Sequence, residues 1–94
     1  MKYYVYIMSN WNNKVFYTGV TNDIARRVYE HKNKFVKGFT EKYNINKLLY
    51  VEEYSDIETA LNREKYVKKL SHKNKEKLID TINKERIDLY DSIL

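Results

Sequence analysis

Aromatic and β-branched residues dominate two short stretches near the start of the chain, Tyr3 to Ser9 and Val15 to Val20. Such composition favours β-strands. The turn-forming residues Asn10 to Asn13 lie between the stretches, so the pattern predicts a β-hairpin. With a four-residue loop, Tyr6 lies directly opposite Tyr17, and opposed residues point to the same face of a sheet. The two phenols are therefore expected to be neighbours.

The apolar spacing then changes to that of a helix, which starts at an N-cap provided by Thr21 or Asn22 and runs to about Lys32. At about 100° per residue, one stripe of this helix collects two apolar and two polar side chains. They are Ile24, Arg27, Val28 and His31. A cation and an imidazole on an inward face require partners, so both are candidate functional residues.

A third strand is predicted from Lys47 to Tyr54, after a loop with a short helical turn around Thr40 to Tyr43. Ser55 and Glu58 then have the spacing of a capping box that opens a second long helix. Its apolar stripe consists of Ile57, Ala60, Leu61 and Val67. Glu64 lies near the centre of that stripe, where an unpaired carboxylate is costly.

Ser71 is the expected N-cap of a third helix that runs to about Lys84, with Leu78, Ile79 and Ile82 inward. The element order is then β-β-α-β-α-α. This order indicates an α+β fold, a three-stranded antiparallel sheet flanked by helices. Residues 1–84 are expected to form the domain, and residues 85–94 a tail that packs on it loosely or frays.

Composition narrows the possible functions. The 94 residues include 15% aromatics, which indicates a folded chain, and they carry a net charge of +5, as a phosphate-binding surface would. There is no cysteine, so a metal site would depend on carboxylates, histidine or water, and a cytoplasmic location is expected. No stretch is typical of an export signal or a membrane span.

Local patterns alone leave the role of the inward charges open. Arg27 and Glu64 are expected either to form a structural ion pair or to serve a reactive site. Tyrosine is common in strands, and His31 has a favourable place near the end of a helix whatever its role. The lysines of the last two helices suit a solvated face as well as a phosphate-binding track.

Six segments, in order, carry a resemblance to a known family. They are Tyr4-Val5-Tyr6, Tyr17-Thr18-Gly19, Thr21 to His31, Lys37 to Thr40, Leu48 to Tyr54 and Ala60 to Lys65. They resemble the GIY-YIG nuclease family, and in particular its small stand-alone bacterial members, over nearly the whole chain. The two named motifs depart from the family pattern, since Tyr4 replaces glycine and Val5 and Thr18 replace isoleucine, and a family asparagine has two candidate matches, Asn74 and Asn83.

The resemblance implies a role for each matching residue. Glu64 would be the protein ligand of one Mg²⁺ or Mn²⁺, and Arg27 would stabilise charge on the phosphate. Of Tyr6 and Tyr17, one would activate the attacking water and the other would position the phosphate. His31 would carry a proton or contact phosphate.

Two further sets of residues complete the predicted site. Gly19 is expected to leave room for the close approach of backbone or substrate. The nucleic-acid contacts are expected from Lys37, Thr40, Lys42, Lys68, Lys69 and Lys73.

The implied function is a metal-dependent endonuclease that hydrolyses phosphodiester bonds of DNA. Little sequence specificity is expected, because the chain has no room for a separate DNA-targeting domain. Branched or single-stranded DNA, met in repair or recombination, is the expected substrate. The alternatives are a weakly active or inactive nucleic-acid-binding module on the same scaffold and, third, a protein-binding adaptor.

Overall fold

A computed structural model describes residues 1–94, and it confirms the α+β class with a three-stranded antiparallel sheet. The elements are β1 (Tyr3–Ser9), β2 (Phe16–Thr21), α1 (Ile24–Lys32), α2 (Phe39–Lys42), β3 (Lys47–Tyr54), α3 (Ile57–Lys69), α4 (His72–Asp80) and a 3-10 turn (Tyr90–Ile93). None of these helices has the length and apolar character needed to cross a membrane.

The sheet has the strand order β2-β1-β3, and its register differs from the prediction. Tyr6 pairs with Gly19 and Met8 with Tyr17, so the predicted Tyr6–Tyr17 pair is wrong. The loop spans residues 10–15 because the Asn10 side chain accepts hydrogen bonds from two backbone amides beyond the predicted turn, Lys14 at 3.0 Å and Val15 at 3.1 Å.

The difference in register is two residues, so the alternation of side chains is preserved. Tyr6 and Tyr17 therefore still lie on one face, diagonally rather than directly opposed, with ring centroids 6.3 Å apart. The predicted neighbourhood of the two phenols is confirmed although their pairing is not.

The sheet is covered on both faces, and the central strand β1 supplies alternate side chains to two separate cores. The core on the side of α3 and α4 consists of Val5, Ile7, Leu49, Tyr50, Ala60, Val67 and Ile79. The core on the side of α1 and the C-terminal residues consists of Tyr6, Met8, Ile24, Val28, Ile45 and Leu48. The candidate tyrosines belong to the second face.

Aspartates, rather than the predicted residues, cap two helices. Asp23 accepts from the Arg26 amide at the start of α1, while Thr21 instead accepts from the Asp23 amide. Asp56 does the same for α3, where Ser55 was expected. Asp is as good an N-cap as Ser, and in both places it is the residue that directly precedes the first turn. Ser71 caps α4 as predicted.

The buried stripe of α3 also differs from the prediction. Ala60 and Val67 are buried, whereas Ile57 and Leu61 are 43% and 40% exposed. Arg63 and Glu64 both lie between the two buried residues at helical spacing, and the Glu64 side chain is only 14% exposed, so Glu64 lies on the inward side of α3 as predicted. In α4, the helix ends at Asp80 instead of Lys84, which leaves Ile82 exposed while Ile79 is buried as expected.

The last residues of the chain pack on the α1 face. Leu89 donates a backbone hydrogen bond to the Leu48 carbonyl at 2.8 Å, and Asp88 accepts from the Leu48 amide and pairs with Lys32. The buried Asn83 side chain donates to the Leu49 and Ile87 carbonyls. Asn83 therefore holds the chain after α4 against β3, which is a structural role.

Candidate active site

Tyr6, His31 and Tyr17 form one aromatic cluster between β1, β2 and α1. The Tyr6 hydroxyl and His31 Nε2 share a hydrogen bond of 3.1 Å, and both residues are buried. The Tyr17 ring centroid lies 5.4 Å from that of His31. Since β2 is an edge strand, this cluster reaches the open edge of the sheet on the side of Tyr17, which is only half-buried.

Burial fixes the protonation states in the cluster. It raises the pKa of Tyr6, and the nearby charges of Tyr17 and Glu64 add to the rise, against the opposing effect of Arg27. Burial and the Arg27 charge lower the pKa of His31 to about 4. At neutral pH the phenol is therefore protonated and the imidazole is neutral. His31 Nδ1 is buried without a hydrogen-bond partner.

The lowered pKa of His31 predicts a loss of stability in mild acid. Its ordinary value is near 6.5, so between pH 6.5 and 4 the unfolded chain binds a proton that the folded chain does not, and stability falls with pH. From pH 7 to pH 5 the His31 contribution is about 2 kcal/mol. Urea unfolding at both pH values should show this loss in wild type and much less of it in His31→Gln. The exposed His72, changed to Gln, is the control and should behave as wild type.

Gly19 is required by the position of Tyr6. A Cβ at residue 19 would lie 2.5 Å from the Tyr6 hydroxyl oxygen and 2.6 Å from Tyr6 Cζ, far inside van der Waals contact. Because the two residues are paired across the strands, the phenol lies directly over the glycine. The space predicted for backbone or substrate is therefore occupied by the Tyr6 ring, and Gly19 directs that ring towards the edge of the sheet.

Arg27 lies at the rim of this cluster. Its side chain is 40% exposed, and its ion pair is a long one, 3.8 Å to Glu30. It lines a polar groove of about 290 Å³ with the other residues around the start of α1, which are Thr21, Asn22, Asp23, Arg26 and Glu30. The guanidinium therefore has hydrogen-bond donors available to an anion in this groove.

Glu64 is not paired with Arg27, so the structural ion pair considered from the sequence is absent. Its side chain is 14% exposed and its partner is Lys68, at 3.1 Å along the same helix. The carboxylate contributes to the raised pKa of Tyr6, which places its charge within reach of the cluster. Glu64 lies on α3, whereas the other four candidates lie on β1, β2 and α1.

No three acidic or histidine side chains converge anywhere in residues 1–94, so a metal ion held by Glu64 would have few protein ligands. Mg²⁺ commonly keeps several waters and takes only one or two protein carboxylates, with phosphate oxygens completing its shell. Lys68 is 52% exposed, so it can leave Glu64 for solvent at little cost. The residues present thus fit a metal ion that is shared with a phosphate.

An ion pair that was not predicted supports this arrangement from α3. Arg63 donates to both oxygens of Glu52, with the shortest contacts at 2.9 and 2.8 Å, while Tyr50 and Tyr54 also donate to that carboxylate. Burial opposes the charge of Glu52, but these donors lower its pKa below the ordinary range. Since Arg63 directly precedes Glu64, the pair fixes α3 on β3 next to the candidate ligand. The helical spacing of Ala60, Arg63 and Val67 was available in the sequence as a sign that Arg63 faces inward.

The predicted nucleic-acid contacts are dispersed over both faces. Lys37 is exposed and pairs with Glu41 at 3.0 Å, and Lys42 lies over the Tyr43 ring, 5.4 Å from its centroid. Thr40 is buried and its hydroxyl has no hydrogen-bond partner. The prediction that Thr40 contacts nucleic acid from the surface is therefore wrong. On the other face, Lys68, Lys69 and Lys73 are exposed.

Comparison with known proteins bears on this geometry. The family model of the GIY-YIG catalytic domain matches residues 2–77, a range that includes all five candidate catalytic residues. A UPF0213 protein of Bacillus licheniformis is 35% identical over 92% of this chain and 88% of its own. One of Syntrophus aciditrophicus is 36% identical over 92% and 98%. The solution NMR structure of a Bacillus halodurans UPF0213 protein has a TM-score of 0.59 at 29% identity, covering 90% of this chain and 89% of that one.

Proposed function

Because the chain belongs to the GIY-YIG family, whose catalytic domain is a nuclease domain, we propose that it is a metal-dependent endonuclease acting on DNA. The observation that carries the proposal is the convergence of a hydrogen-bonded Tyr6–His31 pair with Tyr17 and Arg27 at one open sheet edge, within electrostatic reach of Glu64. Together these groups can supply proton transfer, charge stabilisation and a metal ligand, which are contributions that assist phosphodiester hydrolysis.

Arg27 is proposed to bind the non-bridging oxygens of the scissile phosphate. Its long contact to Glu30 and its partial exposure leave donors for a substrate. A planar guanidinium can donate two parallel hydrogen bonds to one phosphate and stabilise the negative charge that develops there.

Tyr6 and His31 are proposed to form a proton relay. The neutral imidazole can accept the Tyr6 proton through the 3.1 Å hydrogen bond as the phenol takes a proton from the attacking water. Tyr6 is protonated at neutral pH because burial raises its pKa, so it can take a proton from water only by passing its own proton to the imidazole. Burial and the Arg27 charge make His31 a weak proton acceptor, and the negative charge of a bound phosphate would strengthen it. Tyr17, half-buried on the edge strand, is then the phenol that positions the phosphate.

Glu64 is proposed to hold one divalent ion, Mg²⁺ or Mn²⁺. Such an ion, when bound, supplies Lewis-acid polarisation of the phosphate and stabilises the leaving oxygen. The part played by Glu64 is to provide one charged oxygen ligand at the margin of the cluster. The Arg63–Glu52 ion pair holds the helix that presents it.

The proposed substrate is DNA recognised by its backbone, with little sequence specificity. The net charge of +5 supports binding through phosphates, and lysines are exposed on both helical faces. A preference for branched or single-stranded DNA and a place in repair or recombination are part of the proposal. The cytoplasmic location stays a prediction.

One observation favours the alternative, a nucleic-acid-binding module of low activity. The carboxylate expected to bind metal is engaged by Lys68 at 3.1 Å. In that case DNA binding would weaken steeply with salt and would be indifferent to EDTA.

The test is cleavage of labelled branched, single-stranded and duplex DNA by the purified chain in Mg²⁺, Mn²⁺ or EDTA. We expect cleavage with either metal, and none in EDTA. At saturating DNA, Lys68→Ala should cleave at least as fast as wild type because it frees the proposed ligand, although its DNA affinity should fall because Lys68 is also an expected phosphate contact. Cleavage that continues in EDTA would rule out the metal-dependent mechanism, and binding without cleavage in any metal would support the binding module.

A further inference from the structure

Three aromatic rings form a continuous row that starts at the candidate site and extends over the surface. Tyr17 lies 6.2 Å from Phe39 and Phe39 lies 4.7 Å from Tyr43, measured between ring centroids. Phe39 is 47% exposed and Tyr43 is 40% exposed. We call these three residues the aromatic row. Two large rings left open to solvent next to a buried reactive cluster are the unexplained feature of this face.

The backbone conformation at Gly38 precedes the exposed rings. Gly38, directly before Phe39, has φ 100° and ψ −131°, a conformation that residues other than glycine rarely adopt. A Cβ at residue 38 would meet no atom within 4 Å, so the glycine is required by the backbone and not by packing. It turns the chain into α2 with Phe39 at the first helical position, and the buried Thr40 anchors the turn.

Positive charge borders the row. The Lys42 ammonium lies over the Tyr43 ring, 5.4 Å from its centroid, and Lys34 is exposed in the loop that leads to α2. Lys37 is exposed too, although Glu41 offsets its charge. An apolar protein partner would gain little from these cations, whereas a strand of nucleic acid offers flat aromatic bases to the rings and phosphates to the lysines.

We propose that Phe39 and Tyr43, the two exposed rings of the aromatic row, stack unpaired nucleobases, so that the strand presented to the site is single-stranded on their side. Bases in a duplex have both faces stacked within the helix, so only unpaired or splayed bases can lie on these rings. The inference deepens the proposed function, since it assumes that the phosphate next to the stacked bases enters the cluster of Tyr6, Tyr17 and His31.

A binding measurement can separate base stacking on the rings from the electrostatic attraction of the phosphates. Fluorescence anisotropy in EDTA would compare a labelled thymidine oligonucleotide with an abasic oligonucleotide of equal length and charge. Stacking on these two rings predicts that wild type binds the strand with bases at least about tenfold more tightly. Equal affinity for the two strands would overturn the proposal.

Matched substitutions locate the effect. The double variant Phe39→Leu and Tyr43→Leu keeps apolar bulk but removes the flat faces, so it should bind the two strands alike while its salt dependence stays that of wild type. Tyr66→Leu makes the same change on α3, outside the row, at a ring that is 57% exposed, and it should keep the preference. A double Leu variant that retains the preference for bases, with the circular dichroism spectrum of wild type, would contradict the assignment to this row.

The two proposals fail in distinguishable ways. Base-dependent binding by a chain that cleaves no DNA with Mg²⁺ or Mn²⁺ would support the aromatic row and remove the nuclease assignment. Where the chain does cleave, the double Leu variant should lose the preference for single-stranded over duplex DNA. An unchanged ratio of the two cleavage rates would overturn the row as the source of that preference.

Discussion

Changing Glu64 to Gln is expected to lower the cleavage rate about a thousandfold, equivalent to about 4 kcal/mol of transition-state stabilisation. The amide keeps the shape of the side chain but removes the charge that the proposed metal ion requires. Stability should change little, because the Glu64–Lys68 pair is half-exposed on the lysine side and such pairs contribute about 1 kcal/mol or less. Single-turnover cleavage and urea unfolding measure the two effects separately.

Glu58→Gln provides the matched control for this prediction. It makes the same chemical change on the same helix, at an exposed position in the first turn, away from the cluster. Its cleavage rate should stay within about twofold of wild type, apart from a small effect of the helix dipole on stability. Cleavage by Glu64→Gln at the wild-type rate would show that this carboxylate is not a metal ligand, whatever the chain does to DNA.

The fold class could be predicted from the sequence because the patterns that define it are local. Strand β3 spans Lys47–Tyr54 as predicted, and Ser71 caps α4. The hairpin register could not be obtained the same way, because the side chain of Asn10 competes with the backbone for the turn. The prediction that Tyr6 and Tyr17 share a face was still correct, since a register shift of two residues leaves each side chain on the same face of the sheet.

The environment of the charges depended on contacts distant in sequence. Arg27 and Glu64 both stand out from helical periodicity, yet the partly buried ion pair joins Arg63 to Glu52 on another element. Period-two alternation places Tyr50, Glu52 and Tyr54 on one face of β3, where both phenols donate to the carboxylate. Which of the neighbouring cations on α3 meets this acceptor is decided by how α3 is rotated on the sheet, and no single-residue pattern specifies that rotation.

The exposure of the aromatic row could not be predicted from the sequence for a different reason. Phe39 and Tyr43 look like core residues in a list of apolar positions, and Thr40 looks like a surface residue, but the structure has them the other way round. The cause is the backbone at Gly38, whose positive φ sets the direction in which α2 leaves the loop. A glycine in a sequence shows that such a conformation is allowed there, but not which way the next residues will face.

Gly19→Ala is expected to disable the site more completely than the small size of the change suggests. The new Cβ would lie 2.5 Å from the Tyr6 hydroxyl oxygen, so either the phenol or strand β2 must move. Tyr6 is buried and bonded to His31, which limits where its ring can go. Overpacking of this kind costs about 1–3 kcal/mol of stability. A displacement of about 1 Å at the reacting groups can cost about a hundredfold in rate.

A double-mutant cycle identifies the contact responsible. Tyr6→Phe should not relieve Gly19→Ala, because the ring carbon Cζ lies as close to the added methyl as the hydroxyl does, at 2.6 Å. Tyr6→Leu removes both atoms, so in that background Gly19→Ala should cost little further stability in urea unfolding. If Gly19→Ala were equally destabilising in the Tyr6→Leu background, the glycine would be required by the backbone of β2 instead. Room for the Tyr6 ring would then no longer explain how the edge of the sheet presents the Tyr6–His31 pair.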